Sequence, residues 1–162
     1  MFSLKNKTAL ITGGGSGIGK AIALLFAKQG AIVHIIELNA DAAKDTDDEI
    51  NIAGDKAFIH SCDVTKHDDV VRTFATIGKL DILVNNAGIA HVGNVLTTAE
   101  NDFDKVINVN VKGVYNCLHA AISEMKKNGA GAIVNMCSIA AFVGLRDRFA
   151  YTASHYCSVD FL

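Results

Sequence analysis

The chain has 162 residues, of which 50% are hydrophobic and 20% charged, and its formal net charge is −2. This length and composition predict one globular domain with a buried core. The balanced charges argue against a nucleic-acid or anionic-membrane partner, and no run approaches the ~20 apolar residues of a membrane helix. The amino terminus lacks the pattern of a signal peptide, so we expect a cytoplasmic location.

Five short runs rich in β-branched residues alternate with longer segments of helical period. The predicted strands are residues 8–12, 32–37, 57–60, 80–84 and 132–136. The predicted helices are residues 18–29, 40–53, 68–77 and 99–128. Repeated strand–helix–strand order requires parallel pairing with right-handed crossovers. The fold class is therefore α/β, a doubly wound parallel sheet or Rossmann fold.

Local signals mark the predicted helix boundaries. Glycines fall where the helices should end, at Gly30, Gly54, Gly78 and Gly129. Thr97 followed by Glu100, and Thr65 followed by Asp68, have the spacing of capping boxes. We therefore expect side-chain caps at the start of two helices.

A glycine-rich segment joins the first strand to the first helix. Glycines there allow a tight turn and let backbone N–H groups approach a pyrophosphate at the helix N-terminus. A plain glycine-rich turn would look the same in isolation, but the position between strand and helix favours a dinucleotide site. The candidate cofactor residues are Gly13, Gly15, Ser16, Gly17, Ile18 and Gly19.

Acidic residues follow the second and third strands. Glu37 can accept hydrogen bonds from both hydroxyls of an adenosine ribose, and its charge repels a 2′-phosphate. We therefore expect NAD(H) to be preferred over NADP(H); a solvated strand end is the alternative. Asp63 could accept from the adenine amino group with Val64 against the ring, or it could cap the next helix beside Thr65. The residues alone leave both interpretations of Asp63 open.

The cysteines predict neither a metal site nor a disulfide framework. They are Cys62, Cys117, Cys137 and Cys157, without a CxxC pair or the Cys/His spacing of a zinc site. We expect small apolar side chains in a reducing compartment, and no bound metal.

The fourth strand ends in the sequence Asn85-Asn86-Ala87-Gly88. Together with the glycine segment, it makes the chain, from about Lys5 to Ser154, resemble the short-chain dehydrogenase/reductase family. The resemblance implies hydride transfer between NAD(H) and a small alcohol or carbonyl substrate. It also places Asn86, Ala87 and Gly88 beside the adenosine ribose.

The same resemblance implies three catalytic residues. Asn110 would hold a water in a proton relay, Ser138 would hold the substrate oxygen, and Tyr151 would exchange a proton with that oxygen as acid/base. The nicotinamide C4 would take or give the hydride. As isolated residues, a strand-end serine and a core tyrosine are the commoner interpretations.

The family pattern breaks after Ser154. The motif Tyr-x-x-x-Lys has His155 in place of its lysine. A tyrosine of pKa ~10 needs a nearby cation to act near neutrality, and a histidine of pKa ~6.5 is mostly neutral there. Since acid–base assistance contributes ~10²–10⁴ in rate, much of the activity is at risk. The alternative function is a catalytically impaired nucleotide-binding fragment.

Residues 1–154 are the predicted NAD(P)-binding domain, and residues 155–162 are a divergent tail that we interpret as the product of an altered reading frame. The family's later strands and helices would then be missing. We expect the fifth strand at a sheet edge, open apolar faces, low solubility, reduced NAD(H) binding and weak or no turnover. The truncation also argues against the family's usual homo-oligomer.

Overall fold

The computed structural model describes residues 2–158, which form a parallel sheet of five strands with helices on both faces. The strands are β1 (Thr8–Thr12), β2 (Ile32–Glu37), β3 (Lys56–Ser61), β4 (Ile82–Asn85) and β5 (Ala132–Asn135). The helices are α1 (Gly17–Lys28), α2 (Ala40–Ile52), α3 (His67–Ile77), α4 (Glu100–Ile107), α5 (Gly113–Asn128) and α6 (Phe149–Ser158). The strand order is β3-β2-β1-β4-β5. The predicted doubly wound α/β fold is confirmed.

This strand order creates a crevice at the carboxyl ends of the strands. The chain runs outward from β1 to β3 and then returns to place β4 on the other side of β1. The loops that leave β1 and β4 therefore diverge to opposite sides at the carboxyl ends of the strands. Ligands of open α/β sheets bind at such switch points.

Two separate cores cover the two faces of the sheet. Leu10 of β1 belongs to the core built with α3 and α5, whereas its neighbours Ala9 and Ile11 belong to the core built with α1 and α2. All three side chains are fully buried. Burial on both faces explains why β1 is apolar almost throughout instead of alternating.

The glycines predicted to end helices are confirmed. Each has a positive φ and follows a helix directly or by one or two residues: Gly30, Gly54, Gly78 and Gly129. A side chain would be strained in that conformation. The helices of the four crossovers therefore end at glycines that can be recognised in the sequence.

The two predicted capping boxes are wrong. α3 and α4 begin without any side-chain cap. The hydroxyl of Thr97 accepts from the backbone N–H of Asn94, and the hydroxyl of Thr65 donates to the carboxylate of Asp63. Both threonines are used by the turns that precede the helices, so their spacing to the acidic residues has no capping role.

β5 is the outermost strand on its side of the sheet that residues 2–158 form, as expected. Open apolar surface lies near it: Val134 is 46% exposed, Phe142 71% and Tyr156 73%. His155 and the three residues after it continue α6, and residues 159–162 of the predicted tail lie outside the described residues. Within residues 2–158, no helix has the length and apolarity to span a membrane.

Candidate active site

A cleft of about 590 Å³ lies at the carboxyl ends of the strands, at the switch point between β1 and β4. Ten of the twelve predicted cofactor residues line it: Gly13, Ser16, Gly17, Ile18, Glu37, Asp63, Val64, Asn86, Ala87 and Gly88. Lys105 and Val109 line it as well, and nothing in the sequence had singled them out. They belong to α4 and the turn that follows, which tertiary packing alone brings to this crevice.

The glycine loop shapes one wall of the cleft by having no side chains. Gly13 has a φ of 68° and passes so close to the β4 turn that a Cβ would lie 3.0 Å from the Cα of Ala87. Gly17 has a φ of 52° with nothing within 4 Å of a Cβ position. The backbone is thus exposed to the cleft at the first residue of α1, where N–H groups favour an anion.

The two predicted cofactor residues that do not line the cleft, Gly15 and Gly19, hold the loop in shape. A Cβ on Gly15 would lie 2.6 Å from the carbonyl oxygen of Ala42 in α2, and one on Gly19 would lie 2.1 Å from the carbonyl oxygen of Gly13. Neither position has room for a side chain, because backbone of α2 lies against Gly15 and backbone of the loop itself lies against Gly19.

The turn after β4 is bonded directly to the glycine loop. The buried hydroxyl of Thr12 accepts from the backbone N–H groups of Asn86, at 3.0 Å, and Ala87, at 2.9 Å. The side-chain amide of Asn86 donates to the carbonyls of Thr12 and Gly13, both at 3.0 Å. These bonds fix the two motifs relative to each other. The sequence offers one signal for Thr12, a polar residue ending a buried strand.

Glu37 faces the cleft. Its side chain is half-buried, and one carboxylate oxygen accepts from the backbone N–H of Gly15 at 3.0 Å. This geometry differs from that of a strand-end carboxylate surrounded by water, which was the alternative interpretation. The acidic group is held at the mouth of the glycine loop.

Asp63 lines the cleft and also closes a turn. Its Oδ1 accepts from the backbone N–H of Thr65 at 3.0 Å and from the hydroxyl of Thr65 at 2.7 Å. The turn precedes α3 without capping it, because the helix begins after Lys66 and has no side-chain cap. The alternative in which Asp63 caps α3 is therefore wrong.

A smaller pocket of about 260 Å³ adjoins the cleft. Asn110, Tyr151, His155 and Cys137 line it, together with residues of the β4 turn that the cleft shares. Ser138 is not among its described lining residues: its hydroxyl accepts from the backbone N–H of Ala140, at 3.2 Å, and caps a short 3₁₀ turn. The structure thus brings Asn110 and Tyr151 to one pocket, and Ser138 directly follows the lining residue Cys137.

Asn110 lies in a π-helical turn, Asn108–Lys112, that interrupts the predicted continuous helix between α4 and α5. Its side chain pairs with both the N–H and the carbonyl of Ile89, each at 2.9 Å, and donates to the hydroxyl of Ser154, also at 2.9 Å. That hydroxyl in turn donates to the carbonyl of Tyr151 at 2.8 Å. Such π-turns are frequent at functional sites. Here the turn connects α6 to the β4 loop.

His155 packs edge-on against the ring of Tyr151, with ring centroids 4.4 Å apart. Burial lowers the pKa of His155 from its ordinary value, which favours the neutral ring. Its Nδ1 is buried and has no hydrogen-bond partner within residues 2–158. No lysine or arginine stands among the described lining residues of this pocket. Nor does any group of three or more His, Cys, Asp or Glu side chains in the described part form a metal site.

Comparison with known proteins gives the family. The model of the short chain dehydrogenase family matches residues 7–161. An uncharacterized oxidoreductase of Thermotoga maritima is 45% identical over 155 residues, which cover 94% of this chain and 61% of that protein. The chain spans about three-fifths of the length of the curated relatives it matches first.

Solved structures agree. A metagenomic short-chain oxidoreductase in complex with NADP is 34% identical with a TM-score of 0.91, covering 96% of this chain and 73% of that one. A 7α-hydroxysteroid dehydrogenase complexed with NADH and 7-oxo glycochenodeoxycholic acid is 36% identical with a TM-score of 0.91, covering 98% and 65%. Together with the cleft and its motifs, these matches show that the chain belongs to the short-chain dehydrogenase/reductase family.

Proposed function

We propose that the cleft binds NAD(H) and that the adjoining pocket takes a small alcohol or ketone, as in an NAD-dependent dehydrogenase. The observation that carries the proposal is the position of Glu37 at the mouth of the glycine loop, in the same cleft as the β4 turn. When bound, the nicotinamide ring supplies or accepts a hydride. The residues of this chain bind the cofactor and handle the proton.

The residues present fit a dinucleotide. Gly13 and Gly17 leave backbone exposed where α1 begins, and the first turn of α1 has no acidic side chain to repel a phosphate. Glu37 would accept from the ribose hydroxyls, and its carboxylate disfavours a 2′-phosphate. Solved relatives include complexes with NADP and with NADH, so the preference of this chain rests on Glu37 itself.

In this proposal Tyr151 is the acid/base and Ser138 holds the substrate oxygen. The described contact of Ser138 uses its oxygen as an acceptor, which leaves the hydroxyl proton for a substrate carbonyl. Asn110 ties the Tyr151 helix to the wall of the cleft through Ser154. The phenol of Tyr151 must lose its proton in oxidation, and a nearby positive charge favours a phenolate.

The second candidate function is nucleotide binding without turnover. His155 stands four residues after Tyr151, where the family motif has a lysine, and its half-buried position lowers the pKa of the ring and so favours the neutral form. It therefore gives the Tyr151 phenol no positive charge. The cleft does not depend on His155, so binding can persist when catalysis is lost.

Fluorescence titration with NADH and NADPH tests the cofactor proposal. Wild type should bind NADH more tightly. Glu37→Gln keeps an oxygen for the Gly15 N–H but removes the charge, so the preference should shrink by about 10-fold. Glu124→Gln is the matched control: it removes a carboxylate that pairs with Lys127 in α5 and does not line the cleft, so the cofactor preference should stay unchanged. Equal binding of both dinucleotides by wild type, or an unchanged preference in Glu37→Gln, would contradict the role of Glu37.

Turnover separates the two candidate functions. NAD⁺ and a panel of secondary alcohols are given to wild type, Tyr151→Phe and His155→Lys, in this chain and in one extended with a family-like carboxyl-terminal segment. A dehydrogenase loses ~10²-fold or more in Tyr151→Phe and gains in His155→Lys. NADH binding with no turnover in wild type, followed by turnover in the extended His155→Lys protein, supports the binding function for this chain.

A further inference from the structure

The loop between β3 and α3 forms the part of the cleft wall that faces an adenine base. Asp63 and Val64 both line the cleft there. Asp63 is held within the loop by Thr65, and the backbone N–H of Lys66 donates to the carbonyl of Asp63 at 3.0 Å. None of these local bonds involves Val64, so they do not fix its position in the cleft wall.

Val64 is instead held from α5 on the far side of the loop. The side-chain amide of Asn116 donates to the carbonyl of Val64 at 2.8 Å. Asn116 is only 1% exposed, so this bond is made in the interior, where an unpaired carbonyl would be unfavourable. The other amide atom of Asn116, Oδ1, lies 3.4 Å from Nδ1 of His67, the first residue of α3. One buried amide thus joins both ends of the cleft loop to α5.

The side chain of Val64 rests on the backbone of the same helix. A Cβ at Gly113, one turn before Asn116, would lie 2.8 Å from Cγ2 of Val64. Gly113 therefore limits Val64 from below while Asn116 holds its carbonyl. The position of Val64 is set by α5 from two directions.

The polar groups of the loop complement an adenine. Within residues 2–158 the hydrogen bonds of Val64 use its carbonyl but not its N–H. The Oδ1 atom of Asp63 is used by Thr65, whereas Oδ2 makes a 3.9 Å ion pair with the exposed ammonium of Lys66, a weak contact that an adenine amino group can replace. Adenine offers a donor amino group beside an acceptor nitrogen, whereas hypoxanthine offers an acceptor oxygen beside a donor. A carboxylate next to a free backbone N–H matches the first base and mismatches the second.

We infer that Asn116 is a positioning residue for base recognition: it holds the Val64 peptide so that the loop selects adenine. This inference rests on the proposed function, because it requires a dinucleotide in the cleft. Asn116 is not among the described lining residues of the cleft. Its loss should therefore weaken adenine recognition and leave contacts with the nicotinamide half unchanged.

The test compares NADH with reduced nicotinamide hypoxanthine dinucleotide, by fluorescence titration of the full chain. Wild type should prefer the adenine form at least 10-fold. Asn116→Leu should raise the Kd for NADH about 10-fold and bring the ratio of the two Kd values close to one. Its Kd for reduced nicotinamide mononucleotide should equal that of wild type.

A matched control separates positioning from general stability. Leu118→Ala creates a cavity in the same core, but the leucine that it removes makes no hydrogen bond to the Val64 carbonyl. It should lower the unfolding midpoint and keep the adenine preference. Gly113→Ala is the second variant: it displaces Val64 from below, so its preference should fall several-fold, and it decides the matter if Asn116→Leu does not fold.

The outcomes are distinct. An unchanged base preference in Asn116→Leu, or an equal loss in Leu118→Ala, overturns the inference. Wild-type protein that binds both dinucleotides equally well also overturns it, while the proposed function stands. If wild type binds neither dinucleotide, the proposed function fails and the inference fails with it.

Discussion

Gly19→Ala should destabilise the protein and weaken NADH binding, although propensity alone predicts the opposite. Gly19 is in the first turn of α1, and alanine is favoured over glycine in a helix interior by about 1 kcal/mol. The reason lies in the packing. The new Cβ would lie 2.1 Å from the carbonyl oxygen of Gly13 and 2.5 Å from the side-chain nitrogen of Asn86. Contact at ordinary distance requires the loop to move by about 1 Å.

The size of the effect follows from the bonds that this movement breaks. The Asn86 amide donates to two carbonyls of the loop, and each such bond contributes about 1–1.5 kcal/mol net. Losing both and gaining about 1 kcal/mol of helix propensity leaves a loss of about 1–2 kcal/mol in the free energy of unfolding. Since Gly13 lines the cleft, the displaced loop should also raise the Kd for NADH about 10-fold or more.

Urea denaturation followed by circular dichroism gives the stability, and NADH fluorescence gives the Kd. Gly129→Ala is the control: its φ of 74° makes a side chain strained, and nothing lies within 4 Å of the Cβ position. It should lose about 1 kcal/mol with the NADH Kd unchanged. A Gly19→Ala protein as stable as wild type, with unchanged NADH binding, would refute the packing argument.

Two further predictions concern stability. Lowering the pH from about 6.5 to 4 should destabilise the fold: burial, then neighbouring His60, lower the pKa of His34 to about 4, so the unfolded chain takes up that proton first. We expect the free energy of unfolding to fall by about 1–2 kcal/mol across this range, after discounting for the half-exposed ring. Urea denaturation at a series of pH values measures it, and a stability that does not change with pH in wild type would contradict the prediction. Thr12→Val should cost about 2–4 kcal/mol because two N–H groups lose their acceptor. Thr8→Val, at the half-buried start of β1, should cost less than half of that by the same assay.

The sequence predicts the fold and the cofactor cleft because their signals are local. Apolar runs bounded by glycines mark strands that are buried on both faces, and Gly30 and Gly129 end helices where expected. The glycine loop and the β4 turn are short motifs whose conformations depend on residues within them. Their meeting in one cleft follows from the parallel order of the strands.

Features that depend on contacts between distant elements escape sequence reasoning. Thr97 has the spacing of a cap, but its hydroxyl is used by the preceding turn. The π-turn at Asn110 follows from bonds to Ile89 and Ser154, which no helical period can indicate. Asn116 looks like any helix asparagine until the loop after β3 is placed beside it.

In the proposed function, cofactor binding and catalysis depend on different parts of this chain, so one can fail without the other. The cleft is held by bonds between β1 and the β4 turn, and by the bond from Asn116 of α5 to the loop after β3. The pocket around Tyr151 depends on α6, whose polar links to the rest of the chain include the bonds from Ser154 to Asn110 and from the Phe149 N–H to the carbonyl of Gly93. Burial favours the neutral ring of His155 there. Replacing it should therefore change turnover while the affinity for NADH stays governed by Glu37 and the glycine loop.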